Sequence, residues 1–420
     1  MGVSSGATAG TRSGEPRLGV KTLWVPTFDG IRGGVSLSIA LTHISLATGW
    51  VPDHEPFRAL RSSMFFSIEF LFLVGGFVAF LPAVVHGTFI GGRAYGLRRL
   101  GRILPVYWLT LVLAIALGPL LRPVSGANFP HDPFAVLGHV AFLQQELFPF
   151  RAGFGVQGIV WTMSIACIFY VLYPLVVKPY FRRPFIGLAL AIGIAVLWRT
   201  STRSNPQLFL QFPLFCADFA IGMTGAYIYV WLRRRDTPRL RTWLALACPA
   251  ALGVLLYLLY LAGVPVATKH GFLWGESVPL SIAVPLAFLA FLVTAAYLPA
   301  WARWVFANRV ARWIGSISYA LFLFHFLVIW LVLLVIPIPR NGSPQSMLEL
   351  TAIVLPITLT LAWLATRFIE SPVRRRAQAL GARVQRPVVL ERETEAAAAS
   401  PEARPASPEP ALATSPSTAR

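Results

Sequence analysis

Long apolar segments alternate with short polar ones along most of the chain. By hydropathy, ten of these segments predict membrane-spanning helices, at about 33–51, 64–85, 103–121, 157–177, 185–198, 211–231, 243–262, 278–298, 315–336 and 348–368. Another apolar stretch, at 134–148, is short for a span and contains His139 and Glu146, which favours an interfacial or re-entrant helix. The pattern therefore predicts an all-α, polytopic membrane protein.

Composition supports the same fold class. Of the 420 residues 56% are hydrophobic and 13% are charged, and the mean hydropathy is +0.65. Soluble domains carry roughly 25% charged residues, so we expect a multi-pass protein of the plasma membrane. Residues 1–22 have no apolar core, which predicts that no signal peptide is cleaved. The three cysteines fall in apolar segments, and their spacing indicates neither disulfides nor a metal site.

The net charge of +19 could suggest binding to nucleic acid, but the distribution of the charge argues against it. With a cytoplasmic N-terminus and ten spans, 28 of the 36 Lys and Arg residues lie on the cytoplasmic side. This asymmetry follows the positive-inside rule and predicts that both termini are cytoplasmic and that the basic loops contact lipid. We expect a cytoplasmic segment at 1–27, a transmembrane domain at 28–376 and a disordered tail at 377–420, which is rich in Ala, Pro, Ser and Glu.

The first predicted span contains an arginine and a histidine, in "FDGIRGGVSLSIALTHISLATGW". Arg32 and His43 are eleven residues apart, so on a helix they share a face within about 20° and are separated by ~16 Å along the axis. Intramembrane ionisable groups indicate function by default, although His43 could instead make only an interhelical hydrogen bond. Asp29, at the start of this segment, is interpreted as a helix cap.

Three more spans contain ionisable residues. Glu69 could pair with a neighbouring helix or take part in chemistry, whereas we interpret Asp218 and His325 as structural. A proton-coupled transporter or flippase that uses His43, Glu69 and Asp218 as a relay therefore remains an alternative.

The segment "GLRRLGRILPVYW" places three arginines at a predicted cytoplasmic boundary. Arg99 and Arg102 are three apart and share a helical face, with Arg98 beside them. Guanidinium groups suit phosphate, although anchoring to anionic lipid is an equally ordinary role. Together with Arg32 on the same side, they could hold a phosphate-rich ligand whose reactive group reaches towards His43.

At these residues the sequence resembles the acyltransferase-3 family of integral-membrane O-acyltransferases of the O-antigen acetylase type. The opening segment is similar to the family's motif of Arg or Lys, ten residues and then His. "IEFLFLVGGFV", "RRLGRILPVYW", "VWTMSIACIFYVLYP", "ISYALFLFH" and "RFIESPVRR" resemble further motifs in the same order. The likeness runs from about residue 28 to residue 376.

The chain departs from the family pattern at one position. The fourth-span motif usually contains Glu where this chain has Ala166. A carboxylate there is expected to orient or polarise catalytic groups, which alanine cannot do. Glu146 or Glu69 could replace it, or the protein could be a non-catalytic or repurposed member that only binds.

The resemblance implies transfer of an acyl group, acetyl or another short one, from acyl-CoA to a hydroxyl of a carbohydrate, glycolipid or glycosylated metabolite. It implies catalytic roles for His43, Glu69 and Ser164, and donor binding by Arg32, Arg98, Arg99, Arg102 and Tyr107. A neutral imidazole is a suitable base for a hydroxyl that attacks a thioester. Acyl-CoA would be a co-substrate, and neither a metal nor a permanently bound cofactor is expected.

These roles predict a polar tunnel beside the first helix. It would open to the cytoplasm at Arg32 and pass His43 without interruption. The acceptor would approach from the outer face, where Asp53, His54 and Glu55 form part of the first loop.

Overall fold

The structure is a computed structural model that describes residues 26–125, 133–146, 158–202, 205–268 and 277–390. Most of the predicted N-terminal segment, and the tail from residue 391, lie outside the described residues. Disorder from residue 377 is wrong as a boundary, because the last helix continues to Arg383.

The described residues are mostly helical. The first helices are α1 (Pro26–Thr48), α2 (Phe57–Ser63), α3 (Ser67–His86), α4 (Gly92–Ser125), α5 (Pro133–Val140) and α6 (Trp161–Arg182). They are followed by α7 (Pro184–Thr202), α8 (Pro206–Phe209), α9 (Phe212–Arg234), α10 (Pro238–Thr268) and α11 (Val278–Ala295). The last are α12 (Ala300–Ala307), α13 (Arg309–Val335), α14 (Pro344–Ala365) and, after a π-helical turn at Thr366–Glu370, α15 (Ser371–Arg383).

Every predicted span overlaps one of the long helices. In the described part of the chain, nine helical segments are long and apolar enough to cross a membrane. The more polar α1 is not among these nine, so its crossing, and the side on which each terminus lies, remain predictions. The stretch at 134–148 forms the short helix α5 and then turns as far as Glu146.

The outer surface of the helix bundle is apolar. Phe185, Leu190 and Leu197 of α7 and Trp243 and Leu246 of α10 are all more than half exposed. Water would disfavour a surface of this kind, whereas lipid tails match it. The chain is therefore an integral membrane protein.

The centre of the bundle is formed by α3 and α9, which pack closely. A Cβ atom at Gly76 would collide with the Phe219 carbonyl of α9, and one at Gly222 would collide with the Leu73 carbonyl of α3. These two positions require glycine because each helix places a backbone carbonyl where a side chain would begin.

Two short strands were not predicted. β1 (Thr88–Phe89), between α3 and α4, pairs antiparallel with β2 (Val388–Val389). The amides of Arg386 and Leu390 add hydrogen bonds to Ile90 and Gly87. This pairing holds the segment after α15 against the loop between α3 and α4.

Candidate active site

Arg32 lies where α1 and α13 approach most closely. A Cβ at Gly33 would lie within 2.8 Å of the Gly315 nitrogen, so the small residues allow the two backbones to meet. Arg32 then donates from Nη2 to the Gly315 carbonyl at 2.6 Å and from Nε to the Ser318 hydroxyl at 3.1 Å. The same contact that joins the helices therefore fixes the guanidinium.

The role expected for Asp29 is wrong. The described part of α1 begins at Pro26, and Asp29 lies inside its first turn rather than before it. Its carboxylate accepts a hydrogen bond from Arg32 Nη2 at 3.2 Å. Asp29 thus orients the arginine, and its negative charge also suits the helix N-terminus.

Arg99 and Arg102 project from α4 into the same region. The Arg99 guanidinium lies 4.8 Å from the ring centre of Tyr170 and 5.3 Å from that of Tyr95. Arg102 lies 4.0 Å from Glu370, whose carboxylate is buried and also pairs with Arg374 at 3.4 Å. No carboxylate of the described residues lies within ion-pair distance of Arg99, and the rings of Tyr95 and Tyr170 flank its charge.

These arginines line a cavity of about 150 Å³, which we call the inner cavity. Its polar walls come from Arg32, Arg99 and Arg102 together with serine, threonine and tyrosine side chains. The remaining walls are apolar and come from α3, α4, α6, α9 and α13: Ile68, Leu71, Phe72, Val74, Gly75, Val78, Ile103, Met163, Ala166, Phe219 and Phe322.

A second cavity of about 280 Å³, the basic cavity, shares Val78, Arg99 and Arg102 with the first. Arg98 and Arg374 also line it, and Thr88, Phe89 and Ile90 form part of its wall. Arg98 additionally donates to Gln385 at 2.9 Å. The two cavities therefore adjoin at Arg99 and Arg102, and arginines surround the boundary between them.

The charge around the two cavities is strongly positive. Five arginines line them, whereas Asp29 and Glu370 are the carboxylates paired with these arginines among the described residues. An anion with several phosphate oxygens would offset this excess, and guanidinium groups can bind such oxygens in pairs.

His43 lies against His325 of α13. Nδ1 of His43 is 3.0 Å from the Ile39 carbonyl and 3.1 Å from Nε2 of His325. Nδ1 of His325 is 3.3 Å from the Leu321 carbonyl. Because a carbonyl can only accept, we assign a hydrogen to Nδ1 of each ring. Nε2 of His325 then accepts from His43, and Nε2 of His43 keeps a free lone pair.

His43 is not among the residues that line the inner cavity, although Arg32 is. The Phe322 ring, which lines the cavity, has its centre 5.9 Å from that of His325, and the Phe326 ring centre lies 5.1 Å from that of His43. A continuous tunnel from Arg32 past His43 therefore remains a prediction.

Two predicted site residues have structural contacts instead. Ser164 lies two residues before Ala166, about 200° around α6, and its hydroxyl donates to the Phe142 carbonyl rather than facing the cavity. The Tyr107 hydroxyl is buried and donates to the His139 carbonyl at 2.9 Å. Neither residue lines either cavity, so the structure does not bring them to the arginines.

Neither proposed substitute for a carboxylate at position 166 lies at the cavity. Glu69 is buried, interacts electrostatically with Arg199 and Asp218, and is not among the residues that line the inner cavity. Glu146 accepts the Phe212 amide at 2.9 Å at the start of α9, and burial raises the pKa of its carboxyl. Ala166 itself lines the inner cavity.

Sequence reasoning did not single out some residues of this site. Glu370 and Arg374 were visible as polar residues of the last motif, but nothing in the sequence pairs them with Arg102. Tyr170 and Ser318 reach the cavity from α6 and α13 through packing alone. In the described part of the chain, no group of three or more His, Cys, Asp or Glu side chains could hold a metal ion.

Comparisons with known proteins agree with this geometry. The family described as "Acyltransferase domain" matches residues 25–367. The peptidoglycan O-acetyltransferase OatA of Listeria monocytogenes is 21% identical over 375 residues, which cover 84% of this chain and 56% of that protein.

Two further relatives match at similar sequence identity. The putative peptidoglycan O-acetyltransferase YrhL of Bacillus subtilis is 24% identical over 376 residues, with 84% and 55% of the two chains covered. A putative O-acetyltransferase of Staphylococcus aureus is 20% identical over 375 residues, with 84% and 58% covered. The chain thus spans about half the length of the curated relatives it matches. No solved structure matches it.

Proposed function

The chain belongs to the acyltransferase family, and we propose that it is an integral-membrane O-acyltransferase that moves an acyl group from acyl-CoA to a hydroxyl of a carbohydrate-containing acceptor. The observation that carries the proposal is the pair of adjoining cavities lined by arginines. The names of the relatives, which are O-acetyltransferases or putative ones, support the reaction type.

The basic cavity is the proposed site for the phosphates of the donor. Arg98, Arg99, Arg102 and Arg374 supply the cationic donors there, and Arg99 forms no ion pair among the described residues. A CoA thioester has a long uncharged arm between its phosphates and its thioester carbon. That arm would pass between Arg99 and Arg102, so that the acyl group enters the inner cavity.

His43 is the proposed general base. Its free Nε2 would remove the proton from the acceptor hydroxyl while the oxygen attacks the thioester carbonyl carbon. The carbon–sulfur bond then breaks, and the imidazolium returns the proton to the departing thiolate, which leaves as CoA. His325 is a positioning residue in this scheme, because its Nε2 accepts from His43 and keeps the reactive lone pair on the other nitrogen.

His43 does not line the inner cavity, and this sets a requirement on the mechanism. We propose that the Phe322 side chain turns away when the donor binds, so that the acyl carbon and His43 can meet. Aromatic side chains in a helix do change rotamer, and closure of a site around its substrate is common in enzymes.

The acceptor is proposed to be a sugar hydroxyl of a glycolipid, a polysaccharide precursor or a glycosylated metabolite. Peptidoglycan, named for two of the relatives, is one such carbohydrate. Approach from the side of Asp53, His54 and Glu55 remains our prediction, and all three residues are exposed in the loop before α2.

The test uses the full chain in lipid nanodiscs with acyl-CoA labelled in the acyl group. We expect label to move to a carbohydrate acceptor with equimolar release of CoA, and His43→Ala to lower the rate by ~10²–10⁴-fold. His86→Ala is the matched control, because His86 is exposed at the end of α3 and lines neither cavity. Transport of a glycolipid without any acyl-CoA would instead support the transporter alternative.

Donor binding without any transfer would support the alternative of a non-catalytic member. If wild type and His43→Ala transfer the acyl group at equal rates, His43 is not the general base, although the protein is still an acyltransferase.

A further inference from the structure

The inner cavity has a basic end and an apolar end. The apolar end is formed mainly by Leu71, Phe72, Met163, Phe219 and Phe322. Resting on the proposed function, we infer that this end holds an acyl chain of roughly four to six carbons, so that the enzyme prefers a medium-length acyl donor to acetyl-CoA.

The volume supports a group larger than acetyl. A cavity of about 150 Å³ with aliphatic and aromatic walls accommodates a benzene-sized molecule, which has six carbons. An acetyl group places a single methyl beyond its carbonyl carbon and would leave most of this volume unfilled. Empty apolar volume forfeits the contacts that its walls could make, so a longer chain fits better.

Gly75 contributes space that the helix packing does not require. A Cβ at Gly75 would meet Phe219 Cε1 at 3.5 Å and the Tyr170 hydroxyl at 3.6 Å, which are ordinary contact distances. At the next residue, Gly76, a Cβ would collide with the backbone of α9. Gly76 is therefore needed for packing, whereas the absent side chain at Gly75 only enlarges the cavity.

Ala166 enlarges the cavity from the opposite wall. Ala166 and Tyr170 are one turn apart on α6, and both line the inner cavity. Because Ala166 lines the inner cavity, a longer side chain at this position would take up part of its volume. The position that departs from the family pattern thus has a physical consequence, which is room for a larger acyl group.

The chemistry of the walls selects the acyl chain over other occupants. A carbohydrate placed against Leu71, Phe72 and Phe219 would lose water from the hydroxyls that face these apolar side chains, which disfavours it relative to a hydrocarbon chain. The phosphates of the donor are held at the arginine end. An acyl-CoA with a hydrocarbon chain can place that chain at the apolar end while its phosphates lie at the arginines.

The expected selectivity follows from burial of methylene groups. Each buried methylene improves binding by about fourfold. Butanoyl-CoA should therefore bind ~16-fold tighter than acetyl-CoA and hexanoyl-CoA up to ~10²-fold tighter, after which the gain should stop as the cavity is filled.

The experiment measures equilibrium binding of CoA and of acetyl-, butanoyl-, hexanoyl- and octanoyl-CoA to the full chain in nanodiscs, with empty nanodiscs to correct for partition into lipid. Gly75→Ala, which fills the room of one methylene, should reduce the ratio of hexanoyl-CoA to acetyl-CoA affinity by about fourfold, and Ala166→Leu, which adds three carbons, should reduce it by more than about tenfold. Gly34→Ala is the matched control, because a Cβ there meets nothing within 4 Å and Gly34 does not line the cavity. Its affinity ratio should equal that of wild type.

The outcomes separate this inference from the proposed function. Tightest binding of acetyl-CoA by wild type, or an unchanged affinity ratio in both Gly75→Ala and Ala166→Leu, would overturn the inference and leave acyl transfer standing. Failure to bind CoA or any of its thioesters would instead overturn the proposed function. If Ala166→Leu does not fold, Gly75→Ala decides alone, because its added methyl meets only ordinary contacts.

Discussion

Replacement of Arg99 by alanine should weaken donor binding while leaving the free protein about as stable as before. Arg99 has no ion pair among the described residues, and its guanidinium rests on the rings of Tyr95 and Tyr170. Each exposed ring contact is worth about 0.5–1 kcal/mol, and the cost of keeping a half-buried guanidinium out of water offsets part of it. We therefore expect the free energy of unfolding to change by less than ~1 kcal/mol.

Donor affinity should change much more. A hydrogen bond to a charged group contributes about 1.5–3 kcal/mol, so loss of one phosphate contact should raise the Kd for CoA by ~10- to ~150-fold. Arg99→Lys should recover only part of this, because an ammonium cannot bind two oxygens at once. Calorimetric titration with CoA and thermal unfolding of the same samples measure the two effects.

Arg102→Ala and Arg93→Ala complete this comparison. Arg102→Ala should weaken binding and also destabilise the free protein by about 1–3 kcal/mol, because the buried Glu370 loses one of its two cations. Arg93 is exposed on α4 and lines neither cavity, so Arg93→Ala should leave both quantities unchanged. Wild-type affinity for CoA in Arg99→Ala would refute the binding role, and a large loss of stability in that variant would indicate a structural one.

At three further positions, the structure predicts whether a substitution raises or lowers activity or stability. His325→Gln should lower kcat by ~10-fold with little change in KM, because glutamine restores only part of the acceptor that orients His43, and His325→Ala should lower it further. Gly315→Ala should destabilise the protein by about 1–3 kcal/mol in thermal unfolding, since its Cβ would collide with a backbone carbonyl of α1. In the loop after α9, a hydrogen bond from Arg241 lowers the pKa of Asp236 below 3.8, so its stabilising effect is complete above that pH and is lost as the pH falls further. Asp236→Asn should remove this part of the acid sensitivity, as seen in unfolding midpoints measured from pH 6 to pH 3.

Hydropathy was sufficient for most of the fold. Each long helix overlaps a predicted span because twenty apolar residues leave few alternatives in a membrane. Of the short elements, the helix α5 was predicted, whereas α12 and the two strands were not. The helix α12 has eight residues, and the strands have two residues each, so neither gives a clear periodic signal.

From the sequence, only those parts of the site that lie on a single helix could be predicted. Arg32 lines the inner cavity, and the cluster of Arg98, Arg99 and Arg102 follows from spacing within α4. The contact between His43 and His325 joins residues 282 apart in sequence and depends on how α1 packs against α13, which no local pattern encodes.

Two predicted site residues have contacts that their motifs did not indicate, and their roles remain predictions. Ser164 and Tyr107 belong to segments that resemble family motifs, yet their helices turn both hydroxyls towards backbone carbonyls. A motif fixes which helix carries a residue, whereas the direction of the side chain depends on rotation of that helix in the bundle.

The most direct measurement is a cryo-electron microscopy structure of the full chain in nanodiscs with a hexanoyl-CoA analogue that cannot transfer its acyl group. We expect its phosphates within hydrogen-bond distance of Arg99 and Arg102, and its acyl chain between Gly75 and Ala166 in the inner cavity. The Phe322 ring should be displaced, so that the thioester carbon can approach His43. Density for the nucleotide on another face, with both cavities unfilled, would contradict the account.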